Sequence, residues 1–224
     1  MTRLVNGGIL KLTLVVGGGD QLIEFRATDL DKRDRIINSS LAEFSMNNFD
    51  KASTNNIVKD AEVSKGLLYH YFRSKKELYE FLKEFVFETI TDRIREELDW
   101  SEPDFFKRIR AITFIKLSII NQYPMIYDFS MRLIRDSSLE EVKKISKKYS
   151  LDLLQKVYFE NIDFSLFKEG IDVQKAMQVI QWTFEKYGET IAAREAIDTE
   201  VIKKEVEDYI DLLKGSFYKE GGIL

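Results

Sequence analysis

From Asp31 onward, apolar residues recur with the period of an α-helix. Ile37, Leu41 and Phe44 stand at i, i+4 and i+7 and mark the inward face of a first helix. Asn48 follows where that helix should end, and asparagine tolerates the left-handed conformation of the first residue past a helix. Ser53 is a candidate N-cap for a short helix carrying Ile57 and Val58, and Ser64 for another over about 65–72. Arg73-Ser74 makes the next break, with Ser74 and Glu77 spaced as a capping box. A long helix follows to about Leu98, with Leu78, Leu82, Phe85, Thr89 and Ile90 along one stripe.

Past Pro103 the pattern continues. Phe106, Ile109, Thr113, Lys116 and Ile119–Ile120 predict a fifth helix that ends before Pro124, a residue suited to the first turn of a sixth over about 124–135. Ser138 and Glu141 form a second capping box, opening a helix to about Glu160. A short turn over 164–168 ends at Gly170. Asp172 then caps a helix through Ala176, Ile180, Phe184, Tyr187 and Ile191, and Asp198 caps a last one carrying Val201, Val206, Ile210 and Leu213. Nothing alternates strand with helix, so the expected fold class is all-α.

Residues 1–28 differ. Gly7-Gly8 and Gly17-Gly18-Gly19 flank the run Ile9 to Val16, which could form a strand but has no evident partner strand. The segment reads as a loosely held extension, or as a start codon assigned too far upstream, and takes no function. Lys11 interrupts its apolar run and no small-residue cleavage site follows, so it is not read as a signal peptide.

Composition narrows the functions. With 44% hydrophobic and 32% charged residues, the 224-residue chain can build a core beneath a charged surface. No cysteine is present and His70 is the one histidine, which removes disulfides, thiolate chemistry and histidine-based zinc or triad sites. No catalytic residue, metal or cofactor is therefore expected. No run approaches the length of a membrane span, and a cytoplasmic location is expected. The net charge of −4 hides a polarity: residues 31–76 hold nine basic and six acidic side chains, a net of +3, which leaves −7 elsewhere. A basic head on an acidic body fits a DNA reader with a separate dimerising or sensing part.

Two short helices joined by a tight turn and braced by a preceding helix form the unit that presents a helix to the major groove. In the second, Ser64-Lys65-Gly66-Leu67-Leu68-Tyr69-His70-Tyr71-Phe72, Leu68 and Phe72 should face inward. Lys65 lies at the end that reaches base edges, and Gly66 permits close backbone approach. The order of residues from Ile57 to Leu78, with Ile36-Ile37, Phe44 and Phe49 upstream, resembles the DNA-binding signature of TetR-family regulators over residues 32–78. That resemblance implies that Ser53, Thr54, Ser64, Tyr69, His70, Tyr71 and Lys75 contact the phosphate backbone, while Lys65, Gly66 and Leu67 face bases. Two positions depart from it: Glu62 stands in the turn where the family has glycine, and Asn48 replaces another. Singly, each aromatic or serine here is as well explained by ordinary packing.

The implied domains are residues 29–76 for the helix-turn-helix and 77–224 for an effector-binding and dimerising body, with homodimerisation through the last two long helices. Phe106, Ile109, Tyr127, Met131, Trp182 and Phe184 are candidate linings of an apolar ligand pocket, with Glu185 and Asp128 as candidate charge partners. For each of the six taken alone, ordinary core packing is the favoured reading. The functions that stand are a repressor released from a palindromic operator by a largely hydrophobic or lipophilic-cationic small molecule, a DNA-binding member whose body only dimerises, and a helical enzyme or carrier with an accidental signature. The absence of a Glu-x-x-His pattern leaves the last with little chemistry.

Overall fold

The computed structural model describes residues 4–6, 9–16, 19–26, 30–192, 194 and 198–219. Among them are ten α-helices: α1 (Leu30–Met46), α2 (Thr54–Asp60), α3 (Lys65–Tyr71), α4 (Lys75–Glu97), α5 (Phe105–Gln122), α6 (Ile126–Asp136), α7 (Leu139–Ile145), α8 (Leu151–Phe159), α9 (Val173–Ala192) and α10 (Thr199–Phe217). A π-helical turn, Ser146–Ser150, joins α7 to α8, so the single helix expected to run to Glu160 carries one wide turn.

The N-terminal segment corrects one expectation. Strand β2 (Ile9–Val16) has two antiparallel partners, β1 (Leu4–Asn6) and β3 (Gly19–Arg26), with Leu12 opposite Ile23 and Val16 opposite Gly19. Asp20, Gln21 and Glu24 break the apolar run of β3 and conceal it from a hydrophobicity reading. The all-α description holds from Leu30 onward.

Local chemistry fixes most helix starts as the capping residues predict. Ser138 and Glu141 complete both arms of their box: Ser138 N–H donates to Glu141 Oε2 at 2.8 Å and Glu141 N–H to Ser138 Oγ at 3.3 Å. Asp198 accepts from the amides of Glu200 and Val201, and Asp172 from that of Lys175. The end of α1 departs from expectation. Asn48 is not left-handed; its Oδ1 accepts from Lys51 N–H at 3.0 Å, and the amide–carbonyl turn of residues 48–52 closes the helix instead.

The chain forms two compact units, Met1–Asp92 with Ile119–Ile145, and Arg93–Ser118 with Ser146–Leu224. The division does not follow residue 76, because α6 packs on α1 and α4. In the first unit the Phe44 ring lies 5.0 Å from Tyr79 and 6.3 Å from Phe129. Arg132 Nη1 donates to Ser45 O at 2.8 Å, and Tyr123 OH to Asp34 Oδ1 at 3.2 Å. In the second unit Arg108 is fully buried. Its guanidinium donates to the carbonyls of Val157 and Glu160 in the last turn of α8, and to those of Trp100 and Glu102 before α5. One side chain thus occupies carbonyls that a helix end leaves unpaired. Among the described residues no helix is long and apolar enough to cross a membrane.

Candidate nucleic-acid interface

The interface begins with a buried carboxylate. Glu43, 6% exposed, extends the stripe Ile36, Ser40, Glu43 along α1, and both of the other residues are fully buried. Its Oε1 accepts from the Ser53 backbone amide at 2.8 Å and from Asn47 Nδ2 at 3.1 Å, and its Oε2 from Asn56 Nδ2 at 3.2 Å. The amide of the Ser53 cap position is thereby held by a residue of the preceding helix. The Ser53 hydroxyl makes no capping bond, so the expected serine cap operates through its backbone alone.

Lys75 fastens the same turn from the other side. Its ammonium donates to Asp50 O at 3.2 Å and Ala52 O at 3.1 Å, and sits 4.8 Å from the centre of the Phe49 ring. The side chain expected on phosphate is therefore already committed to the α1–α2 turn.

Between α2 and α3 the chain turns through Glu62 at φ 52°. This is the left-handed position at which the resemblance places glycine, and a non-glycine residue there costs on the order of 1 kcal/mol. The amides of Ala61 and Val63 still close on Ile57 O and Val58 O. The exposed Glu62 carboxylate lies 4.0 Å from Arg35 Nη1.

Helix α3 divides its residues by depth. Leu68 and Phe72 are buried, as their spacing predicts, and Tyr71 is buried with them at 8% exposure. Ser64 Oγ caps the helix by accepting from Leu67 N–H at 3.1 Å, which leaves its own proton free to donate. Ser64, Lys65, Gly66, Tyr69 and His70 are exposed, whereas Leu67, Ser53 and Thr54 are half-buried. A Cβ on Gly66 would meet nothing nearer than Ser64 Oγ at 3.9 Å, so internal packing does not demand glycine there. Lys65 Nζ donates to Asn55 Oδ1 at 3.1 Å, and the Thr54 and Tyr69 hydroxyls lie 3.3 Å apart. Lys51, Lys59, Arg73 and Lys76 are exposed as well. Sequence reasoning missed Glu43, Asn55 and Asn56. Only Glu43 left a signal, as a charge on an otherwise buried stripe.

The candidate pocket residues are divided between the two units. In the first, the buried Tyr127 hydroxyl has no hydrogen-bond partner among the described residues, and burial pushes its pKa up. Burial also raises the carboxyl of Asp128, while Met131 is 40% exposed. In the second, Phe106 and Ile109 are buried and Phe184 is half-buried. Lys116 of α5 is exposed, and on α9 Gln181 Nε2 donates to Glu185 Oε1 at 2.7 Å. Trp182 does not behave as a pocket lining. It is 62% exposed, on the side of α9 turned away from the buried Ala176 and Ile180, and Val179 is exposed near it. On α10 the exposed apolar residues are Val201, Tyr209 and Leu212.

Residues 36–82 match the family described as bacterial regulatory proteins, tetR family. The chain is 24% identical over 160 residues to the fatty acid metabolism regulator protein of Bacillus subtilis (strain 168), a match covering 68% of this chain and 79% of that one. Among solved structures it is similar to a TetR family transcriptional regulator from Chloroflexus aurantiacus J-10-FL, with a TM-score of 0.56, 23% identity, and 85% and 94% of the two chains covered. It is also similar to the ketosteroid transcriptional regulator KstR2 of Mycobacterium tuberculosis, with a TM-score of 0.55, 20% identity, and 84% and 96% covered. These two likenesses are of fold.

Proposed function

We propose, for a chain that through residues 36–82 belongs to the tetR family of bacterial regulatory proteins, that it is a homodimeric repressor released from a palindromic operator by a small, largely hydrophobic ligand. The observation that carries this reading is the sorting of α3. Leu68, Tyr71 and Phe72 anchor the helix from below while Lys65, Gly66, Tyr69 and His70 stand outward. Lys65, Gly66 and Leu67 then meet base edges, and Ser53, Thr54, Ser64, Tyr69 and His70 hold phosphates. Tyr71 and Lys75 serve the DNA by positioning the helix and its turn.

One short recognition helix gives modest affinity. Two, roughly 34 Å apart on successive turns of the duplex, give an operator its palindromic symmetry. The second copy is held by α9 and α10, whose exposed Val179, Trp182, Val201 and Leu212 supply an apolar surface that a partner helix pair would cover. The Bacillus relative is named for fatty acid metabolism. With the unpaired Tyr127 hydroxyl as one polar anchor, fatty acids and their thioesters are the first ligands to try. The ligand acts by favouring a conformation in which the two DNA heads no longer match the operator. The protein works in the cytoplasm, where its DNA is.

The test is selection of bound sequences from random duplex DNA, followed by release from the selected site. An enriched pseudo-palindrome with half-sites one helical turn apart is expected, and a fatty acid or acyl thioester should release the protein from it. A folded protein that enriches nothing at low salt overturns the function. A specific complex that no lipophilic compound releases removes the ligand and leaves a regulator whose body only dimerises.

A further inference from the structure

Lys65 and Asn55 come from different helices, ten residues apart in the chain, and meet on the exposed side of the DNA head. The Lys65 ammonium donates to Asn55 Oδ1 at 3.1 Å and lies 6.0 Å from the centre of the Tyr69 ring, and both partners are exposed. The hydroxyls of Thr54 and Tyr69, 3.3 Å apart, tie the same two helices beside them. Lysine has donors only, so the asparagine atom facing it is the oxygen, and the two N–H groups of Asn55 Nδ2 are left to point elsewhere.

This arrangement changes what an asparagine can read. Asparagine recognises adenine by donating to N7 while accepting from the N6 amino group, and that needs a free carbonyl oxygen. Here Lys65 takes one of the two lone pairs of that oxygen and holds the carbonyl toward the ammonium. The groups the pair has left over are mainly donors: the remaining protons of the ammonium and those of the Asn55 amide. Guanine presents two acceptors, O6 and N7, to the major groove, whereas adenine and cytosine each carry an amino group on that edge and thymine has one acceptor beside its methyl group.

We propose that Asn55 is a specificity-determining residue, and that with Lys65 it forms a donor-rich pair that selects guanine in each operator half-site. The inference rests on the DNA-reading function proposed above and adds a residue on α2 to the bases read by α3. Asn55 holds the lysine in place and contributes its own amide protons. Because both side chains lie at the surface, their replacement leaves the core of Leu68, Phe72 and Ile57 intact.

The experiment is sequence selection with the full chain as wild type, Asn55→Ala, Asn55→Asp, Lys65→Ala and the Lys65→Ala/Asn55→Ala double variant, each checked for native helix content. Wild type should enrich guanine at one position of each half-site. Asn55→Ala should lower the preference there by about tenfold and leave the other positions unchanged. Asn55→Asp, which turns an acceptor outward, should lose guanine at that position. The double variant should lose no more than the larger single loss, because the two residues act as one unit. An Asn55→Ala protein that selects the wild-type sequence with equal stringency overturns the inference while leaving the DNA-reading function in place. A wild type that enriches nothing overturns both.

Discussion

The Glu43 carboxylate accepts the backbone amide of Ser53 at 2.8 Å and, with the amides of Asn47 and Asn56, spans the turn that positions α2 and α3. A buried charge with three donors is stable where the same charge with none is not. Glu43→Ala removes the charge and leaves the Ser53 amide and two side-chain amides without their acceptor. Thermal or urea unfolding should show a loss of about 2–3 kcal/mol, together with weaker operator binding. Glu43→Gln, which keeps one acceptor in place, should lose less. Equal losses for the two variants would refute this account of the turn.

Lys75 distinguishes positioning from phosphate binding. A lysine that neutralises a phosphate contributes a slope of about 0.9 to the salt dependence of DNA affinity. Because its ammonium already serves Asp50 O, Ala52 O and the Phe49 ring, Lys75→Ala should weaken binding while leaving that slope nearly unchanged. The stability of the head should fall by about 1 kcal/mol. A slope reduced by one full phosphate would place the ammonium on DNA instead.

Trp182 on α9 and Leu212 on α10 are 62% and 66% exposed. If a second copy covers them, Trp182→Glu with Leu212→Arg should raise the dimer dissociation constant by ~100-fold or more, since each large apolar side chain buried contributes about 1.5–3 kcal/mol. Sedimentation would read the change, and far-ultraviolet dichroism should stay that of wild type. An unchanged dimer would move the interface elsewhere.

Tyr123 gives the alkaline limb of stability a named source. Burial holds its phenol protonated, with the pKa pushed up to about 12, and its hydroxyl donates to Asp34. In the unfolded chain the same group titrates near 10. The folded value is the higher one, so the contribution is complete below about pH 10 and is lost as pH rises toward and through 12. That loss is roughly 3 kcal/mol. Tyr123→Phe should be slightly less stable at neutral pH and should flatten this limb, as denaturant titrations at stepped pH would show. A variant that retains the full alkaline loss would assign it to other groups.

The sequence alone determined the helices and most of their starts from Leu30 on, because the interactions that set them span three or four residues. The exceptions are α2, whose Ser53 hydroxyl makes no cap, and α6, which begins at Ile126, past Pro124. Ser64, Ser74, Ser138, Asp172 and Asp198 each satisfy amides of their own first turn, so neighbours in the chain suffice to read them. The order of residues around α3 carries the family match over residues 36–82, and the left-handed Glu62 could be foreseen from the turn it occupies. Tertiary structure decided whatever depends on which elements meet. Periodicity could not tell that Glu43 would find Ser53, that Lys75 would be committed to the turn before α2, that Asn55 would stand against Lys65, or that Arg108 would close the end of α8. Nor could it decide that Tyr71 is core and Trp182 is surface, or that β2 has partners. A side chain's type sets what it can bond to, but burial and the groups brought opposite it by packing set what it does bond to. Those are properties of the folded chain.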